Sequence, residues 1–389
     1  MKTFLQPLQN LAEMEEIQKQ AKKNCGILEI SGCMESQKAH LMYGLSGLFP
    51  CHLVIAADEK SAKELYEDYR FYDKRVYYYP AKDLLFFQAD IHGNLLIRQR
   101  MQVIRALLER EDEITVVTSI DGCMDYLAPL EKIEKQLIYF RNDSTLDMDK
   151  LTAALVHMGY ERVGQVEMPG QFSIRGGIID IYSLTEENPW RIELWGDEID
   201  SIRSFDAQSQ RSLENLDDVT IYPAAEQPME KNGVSFLDYF KETETLFFLD
   251  ELNHLEENAK AVQEEFQQSC ENRKEKGEIS LSGDWMCTWE ELCHKINDRN
   301  CVAMSLLDPK KSNWKISGQF NITVKSMSSY QSSFELLVKD LKQYKKEGYQ
   351  IVLLSGSRTR AERLAKDLQE EGLNAFYGQD SDRILQPGE

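Results

Sequence analysis

The chain has 389 residues, enough for two to four domains at the usual size of roughly 100–200 residues each. Its hydrophobic content of 42% supports real cores and argues against global disorder. The net charge of −21 argues against a general nucleic-acid or membrane binder and favours protein partners. No apolar run resembles a signal peptide or reaches the ~18 residues of a membrane span, so we expect a cytoplasmic protein without a membrane partner.

The first part of the chain alternates short apolar strands with helical segments. Leu53 to Ala57 and Ile114 to Thr118 are typical of buried strands, and Asn94 can begin a long helix that continues through Leu108. This alternation indicates a parallel sheet with helices on its faces. We assign residues 1–136 to the first part of an α/β domain.

Residues 137–224 show a different pattern. An amphipathic helix from Asp147 to Met158 is followed by alternating strands and a Gly196-Asp197 hairpin turn. This pattern predicts an inserted antiparallel α+β domain. Its strands are expected at Val163 to Met168, Gln171 to Tyr182, Trp190 to Trp195, Glu198 to Phe205 and Val219 to Tyr222.

The α/β pattern returns in residues 225–325, which we assign to the second part of the first domain. A third unit follows, in which two helices alternate with strands expected at Tyr349 to Ser355 and near Ala375 and Phe376. A sheet with so few strands looks unfinished. We therefore expect residues 326–389 to be a truncated α/β domain and the chain to be part of a longer protein.

The segment from Gly32 to Ala39 has the spacing of a Walker A phosphate-binding loop, with Lys38 where the lysine belongs. Gln37, however, replaces the second glycine, so its side chain obstructs the close approach of phosphate. Ala39 replaces the hydroxyl residue that binds Mg²⁺. We therefore predict a degenerate nucleotide site and expect Lys38 to be a surface lysine.

Asp250 and Glu251 end an apolar run, as do the acids of a Walker B motif, in which the aspartate holds Mg²⁺ and the glutamate activates water. Alone this signal is weak, because acids after a strand are commonly solvated ends or helix caps. Together with the altered loop at Gly32 to Ala39, it indicates a degenerate helicase-like fold. We predict no catalytic residue and no cofactor for this chain.

Other groups of reactive or charged side chains have simpler interpretations. Four metal-ligating side chains cluster loosely, but their spacing fits no common zinc pattern, so we predict no metal site. They are Cys287, Cys293, His294 and Cys301. Three arginines of the long helix could meet phosphate, but a solvated helix face is the preferred interpretation. They are Arg98, Arg100 and Arg105.

Two long stretches, Tyr77 to Glu109 and Gly170 to Ala224, resemble the bacterial transcription-repair coupling factors (Mfd). The second is also similar to UvrB, the excision-repair helicase. The resemblance covers essentially the whole chain and would correspond to the N-terminal third of such a factor. It implies a UvrB-like module that recruits UvrA to RNA polymerase stalled at DNA damage. The ATP- and Mg²⁺-dependent DNA translocase motor, and the contacts with RNA polymerase and DNA, would belong to domains absent here.

The chain departs from UvrB in two places. UvrB has an intact phosphate loop where Gly32 to Ala39 is altered, and a long DNA-clamping aromatic hairpin where only the short connection Ala81 to Gly93 is present. The resemblance therefore implies that this module has lost both ATP hydrolysis and DNA clamping. The alternative is a UvrB-like module that retains ATP or DNA binding.

The inserted domain carries the candidate partner-binding residues. Alternation in one predicted strand places Arg191, Glu193 and Trp195 on its polar face. Arginine and tryptophan are enriched at interface hot spots. The resemblance transfers the family's UvrA contacts to Arg175, Arg191 and Trp195. The alternative is that both arginines pair with local acids such as Glu193 and Asp197, while Trp195 covers an edge of the core.

Overall fold

The computed structural model describes residues 2–23, 26–82, 94–226, 233–276, 286–307, 314–327, 329–330, 333–378 and 385–386. Most of the connection Ala81 to Gly93 lies outside the described residues. Within them, no helix has the length and apolar character needed to cross a membrane.

The elements are numbered in chain order. The helices are α1 (Lys2–Gln9), α2 (Met14–Ala21), α3 (Glu35–Ser46), α4 (Glu59–Tyr69), α5 (Asn94–Glu109), α6 (Ile120–Met124), α7 (Leu130–Glu134), α8 (Met148–His157), α9 (Leu252–Glu275), α10 (Trp289–Asn297), α11 (Phe334–Lys346) and α12 (Arg358–Glu370). The strands are β1 (Gly26–Ser31), β2 (Cys51–Ala56), β3 (Val76–Tyr79), β4 (Ile114–Ser119), β5 (Tyr126–Leu127), β6 (Ile138–Arg141), β7 (Glu161–Arg162), β8 (Gln171–Arg175), β9 (Ile178–Ile181), β10 (Trp190–Trp195), β11 (Glu198–Phe205), β12 (Ser212–Leu216), β13 (Asp218–Ile221), β14 (Val234–Ser235), β15 (Thr245–Asp250), β16 (Asn300–Ser305) and β17 (Ile316–Asn321).

Seven parallel strands form the main sheet in the order β17-β1-β16-β15-β2-β4-β3. Successive side chains of its strands enter two different apolar clusters on the two faces. In β15, Phe247 and Leu249 pack in one cluster, and Leu246 and Phe248 pack in the other. Because both faces are covered, the strands are continuous apolar runs rather than alternating ones.

The inserted domain contains a six-stranded sheet in the order β12-β11-β10-β9-β8-β7. Its pairs are antiparallel except that β7 runs parallel to β8. Helix α8 packs Leu151 and Leu155 against one face, where they meet Phe172 and Ile192. The prediction of a parallel-sheet α/β fold with an inserted, mainly antiparallel α+β domain is therefore confirmed.

Two predicted strands of the inserted domain are wrong. Residues 163–168 lie beyond the short strand β7 and form no strand of their own. The stretch Gln171 to Tyr182 folds back on itself as β8 and β9, because Gly176 and Gly177 make a tight turn between them. Gly176 has φ +61, which glycine adopts readily. A Cβ at Gly177 would lie 3.0 Å from the Leu194 carbonyl oxygen.

The third unit contains α11 and α12, but the strands predicted at residues 349–355 and at 375–376 are absent. Ile351 and Ala375 pack against a small cluster of Val338, Leu341 and Leu368 between the two helices. A strand also needs a hydrogen-bonded neighbour along its backbone. No described segment pairs with either stretch, so both remain irregular chain.

Arg100 is wholly buried, which contradicts the expected solvated helix face. Its guanidinium donates hydrogen bonds to Asp125 Oδ2 at 3.0 Å and to the Pro80 carbonyl at 2.8 Å, and it pairs with Glu226. It also lies over the Tyr79 ring, 4.2 Å from the centroid. This cluster joins α5 to the end of β3 and to the chain that leaves the inserted domain.

The other two arginines of α5 also have partners. Arg98 donates a hydrogen bond to the Glu186 carbonyl at 3.3 Å, and Arg105 pairs with the Glu186 carboxylate. Arg105 also donates to Glu109 at 2.9 Å. This face of α5 is therefore a contact with the inserted domain, because Glu186 belongs to that domain.

Candidate partner-binding site and degenerate nucleotide site

The altered phosphate loop connects β1 to α3 at the carboxyl-terminal edge of the main sheet. Gly32 has φ +79, and a Cβ there would lie 2.1 Å from the Ile322 carbonyl oxygen. The first glycine of the pattern is therefore required by close backbone packing rather than by a ligand.

The backbone amides of this loop are already used within the chain. Helix α3 begins before the lysine, so the N–H groups of Gln37 and Lys38 both donate to the Met34 carbonyl, at 2.9 and 3.1 Å. The N–H group of Cys33 donates to the Ser305 carbonyl at 3.1 Å. A phosphate cradle needs such amides to point at the ligand. Here three of them have protein partners.

Lys38 is not a surface lysine, because its side chain is only 3% exposed. Its Nζ donates to Asp250 Oδ1 at 2.5 Å and to Glu251 Oε1 at 2.7 Å. The topology explains this contact: β1 and β15 flank β16, and all three end at the same edge of the sheet. Burial opposes the charge of Lys38, but the carboxylates of Asp250 and Glu251 outweigh burial and raise the pKa of Lys38.

These residues do not fit ATP with Mg²⁺. The lysine that would contact phosphate is bound to the two acids that would hold the metal and activate water. Ala39 is fully buried and offers no oxygen ligand. Gln37 stands where the pattern needs its second glycine, and its buried Oε1 has no hydrogen-bond partner among the described residues.

The predicted arginine pair meets on the face of the inserted sheet opposite its apolar core. Asp180 lies opposite Arg191 in the β9–β10 register and is 1% exposed. Its carboxylate accepts hydrogen bonds from Arg191 Nε at 2.7 Å, from Arg191 Nη2 at 2.9 Å and from Arg175 Nη2 at 2.6 Å. Both arginines therefore pair with a local acid, but that acid is Asp180 rather than Glu193 or Asp197.

The two arginines differ in their freedom to contact another molecule. Arg191 is only 13% exposed, because it also donates to Gln210 at 2.9 Å and lies 4.3 Å above the Phe205 ring. The hydrogen bonds to Asp180 raise the pKa of Arg191. Arg175 is 47% exposed, and Asp180 is its hydrogen-bond partner among the described residues. Most of the five N–H donors of Arg175 therefore face solvent.

Trp195 is the last residue of β10 and is 83% exposed. The N–H group of Leu194 donates to the Gly177 carbonyl at 2.8 Å, which ties the end of β10 to the β8–β9 turn. Trp195 and Arg175 therefore stand at the same end of the sheet. With this exposure the indole does not cover a core edge, as the alternative interpretation required.

Comparisons with known proteins show which proteins this chain is similar to. Residues 138–226 match the family model of the UvrB interaction domain. The transcription-repair-coupling factor of Bacillus subtilis (strain 168) is 28% identical over an alignment of 435 residues, which covers 92% of this chain and 36% of that protein. The factors of Staphylococcus aureus (strain MRSA252) and Staphylococcus haemolyticus (strain JCSC1435) are each 35% identical over alignments that cover 42% of this chain and 14% of the relative.

The chain is related to the N-terminal region of the transcription-repair-coupling factors. The resemblance inferred from the sequence is thereby confirmed. The chain spans only 36% of the length of the Bacillus subtilis relative, and the relationship supports a role in DNA repair. The assignment of Arg175, Arg191 and Trp195 as UvrA contacts stays a prediction.

The sequence analysis did not identify the two charged residues that lie opposite Arg191 on the neighbouring strands, Asp180 and Arg203. Arg203 lies opposite Arg191 in the β10–β11 register and pairs with Glu193. The signal for Asp180 is its position opposite Arg191 on the neighbouring strand. That position becomes visible only when the Gly176-Gly177 turn is placed correctly, because one long strand would carry Asp180 away from Arg175.

Proposed function

We propose that the chain is a protein-binding module that recruits UvrA through its UvrB interaction domain and has no catalysis of its own. In a longer transcription-repair-coupling factor, this module would bring UvrA to RNA polymerase stalled at DNA damage. The observation that carries the proposal is the arginine pair held by Asp180, in which Arg175 stands at the same end of the sheet as a tryptophan that is 83% exposed.

The chemistry of this surface suits an acidic partner surface with an apolar patch. The solvent-facing N–H groups of Arg175 can make charge-assisted hydrogen bonds to carboxylates. Trp195 can bury its indole in a pocket of the partner, as hot-spot tryptophans do. The net charge of −21 would repel an acidic protein from much of the remaining surface, so binding should concentrate at this positive site.

The test is a titration of purified UvrA against the immobilised chain and its alanine variants. Arg175→Ala and Trp195→Ala should each weaken binding by at least about thirtyfold, because truncation of a hot-spot residue costs roughly 2 kcal/mol or more. Since both side chains are exposed, the free energy of unfolding should change by less than about 0.5 kcal/mol. Arg191→Ala should reduce both binding and stability, because it leaves the buried Asp180 short of a partner.

Two matched controls come from β6 of the same domain. Arg141→Ala removes another exposed arginine, and Tyr139→Ala removes an aromatic side chain that is 65% exposed. Both should bind UvrA as the wild type does. Unchanged binding by stable Arg175→Ala and Trp195→Ala variants would remove the site assignment.

The same proposal includes the absence of ATP binding and hydrolysis in this chain. Two observations support it: Lys38 is paired with Asp250 and Glu251, and backbone amides of the loop already donate hydrogen bonds within the chain. Calorimetric titration with Mg-ATP should show no saturable heat. A dissociation constant in the micromolar range would instead favour the alternative, a UvrB-like module that retains its nucleotide.

We also propose that this module does not grip DNA and makes no contact with RNA polymerase of its own. With a net charge of −21, little counterion release is available to drive binding to DNA. Fluorescence anisotropy of a labelled bubble duplex should stay flat at roughly 150 mM salt. A sub-micromolar isotherm would contradict the proposal.

A further inference from the structure

Asp180 is the point at which the two candidate contact arginines come together. The β8–β9 register places Asp180 opposite Ser173, and the β9–β10 register places it opposite Arg191. Arg175 reaches the same carboxylate from β8, two residues beyond Ser173. One acid on the central strand of three therefore bridges arginines that come from the strands on either side of it.

The carboxylate of Asp180 is fully engaged although its side chain is almost inaccessible. Oδ1 accepts from Arg191 Nε, and Oδ2 accepts from Arg191 Nη2 and Arg175 Nη2. At 1% exposure, Asp180 cannot itself be an important contact for another protein. Its effect on a partner must pass through the arginines.

We infer that Asp180 is a positioning residue, which fixes Arg175 and Arg191 in the conformation that binds an acidic surface of UvrA. This inference rests on the proposed function. A single negative charge between two guanidinium groups removes their mutual repulsion and still leaves the group of three with one net positive charge. It also restrains the Arg175 side chain before binding, so that less conformational entropy is lost in the complex.

The two arginines then have different roles. Arg191 is fixed by Asp180, Gln210 and the Phe205 ring, so it serves mainly as a support. Arg175 is tethered through a single nitrogen and keeps the rest of its guanidinium in solvent, so it makes the direct contact.

The test is a double-mutant cycle on UvrA binding with Arg175→Ala, Asp180→Asn and the combined variant. Asp180→Asn keeps the shape of the side chain and removes its charge. Alone it should weaken binding by about tenfold, the order expected when a long side chain must be immobilised on binding. In the Arg175→Ala background, Asp180→Asn should weaken binding by less than about threefold, because the arginine side chain that Asp180 positions is already absent.

Ser173→Ala provides a matched control in the same row of the sheet. Ser173 is also 1% exposed, and its hydroxyl donates to the Gly164 carbonyl at 2.9 Å. Its loss should lower the melting temperature and leave the affinity of the folded protein for UvrA unchanged. If Asp180→Asn fails to fold, Asp180→Glu keeps the charge but moves the carboxylate by one methylene, and it should show an intermediate loss of affinity.

Side-chain NMR measures the mobility of the Arg175 guanidinium, which should not change if Asp180 only stabilises the fold. The Nε–H group of Arg175 should be restrained in the wild type and mobile on the nanosecond timescale in Asp180→Asn, while backbone amide shifts of the main sheet stay unchanged. The inference about Asp180 would be overturned, and the proposed function left intact, by wild-type affinity in Asp180→Asn. The same holds if the combined variant weakens UvrA binding by the product of the two single effects. Absence of UvrA binding by the wild type would overturn the proposed function as well.

Discussion

Replacement of Arg100 by methionine tests the buried ion cluster that joins the inserted domain to the main sheet. Methionine keeps the apolar stem of the side chain and removes the guanidinium. Arg100 has no exposed surface, and it supplies hydrogen bonds to Asp125, to Glu226 and to the Pro80 carbonyl. The variant would therefore leave two carboxylates in the interior, with Lys82 as the remaining cation paired to Glu226.

The expected loss is large because it comes from uncompensated buried charge. Removal of one partner of a buried ion pair destabilises a protein by about 3–5 kcal/mol. Arg105→Met on the same helix is the matched control. Arg105 is 34% exposed and pairs with Glu109 and Glu186 near the surface, so its loss should cost only about 0–1 kcal/mol.

Urea denaturation at pH 7, followed by far-ultraviolet circular dichroism, measures both variants. Arg100→Met should lower the free energy of unfolding by several times the amount lost in Arg105→Met. Equal losses in the two variants, or a loss below about 1 kcal/mol for Arg100→Met, would refute the role of desolvated charge. If Arg100→Met does not accumulate as folded protein, Arg100→Lys can replace it. Lysine keeps the charge but lacks the several N–H donors of the guanidinium, so it should show an intermediate loss in the free energy of unfolding.

Three further predictions concern stability. Gly32→Ala should cost more than about 2 kcal/mol by urea denaturation, because a Cβ would lie 2.1 Å from the Ile322 carbonyl oxygen, whereas Gly176→Ala, with open space around it, should cost only about 1 kcal/mol. Burial raises the pKa of Asp250, so once Lys38→Met removes its cation the loss of stability should be greater at pH 8 than at pH 5, where the Asp250 carboxyl can take up a proton; a loss independent of pH would contradict this. Burial opposes the charge of Glu226, but Arg100 and Lys82 outweigh it and lower its pKa from 4.5 to about 2. The contribution of ionised Glu226 to the free energy of unfolding is complete above pH 4.5 and is lost as the pH falls toward 2. In Glu226→Gln the free energy of unfolding should therefore depend less on pH in this acid range.

The layout of the main sheet could be predicted because burial on both faces leaves a strong signal. Runs such as Leu53 to Ala57 are apolar without interruption, and polar helices separate them. The strand β16, Asn300–Ser305, is just as buried but lies in a segment without clear periodicity, so the sequence alone did not identify it. The strands predicted at residues 349–355 and 375–376 are absent from the structure, and here the sequence pattern was misleading rather than weak. Their composition suits a strand, but pairing depends on a neighbour that composition does not reveal.

The charged residues show a similar limit. Arg100 looks like any arginine on a helix, since its acids Asp125 and Glu226 lie 25 and 126 positions away and converge only in the fold. Near neighbours in the sequence suggested Glu193 for Arg191, whereas the real partner is Asp180, 11 positions away across a strand pair. Side-chain alternation predicted that Arg191 and Trp195 leave the core, but not which acid would meet the arginine.

The contact of Lys38 with Asp250 and Glu251 also bears on how this protein can evolve. Restoration of a phosphate loop would need a glycine at position 37 and a hydroxyl at position 39, and it would also need Lys38 to release two acids that now depend on it. Each single step would lower the stability of the chain before any nucleotide could compensate for the loss. Because these three charges stabilise one another inside the protein, a working phosphate loop could arise here only through several substitutions together.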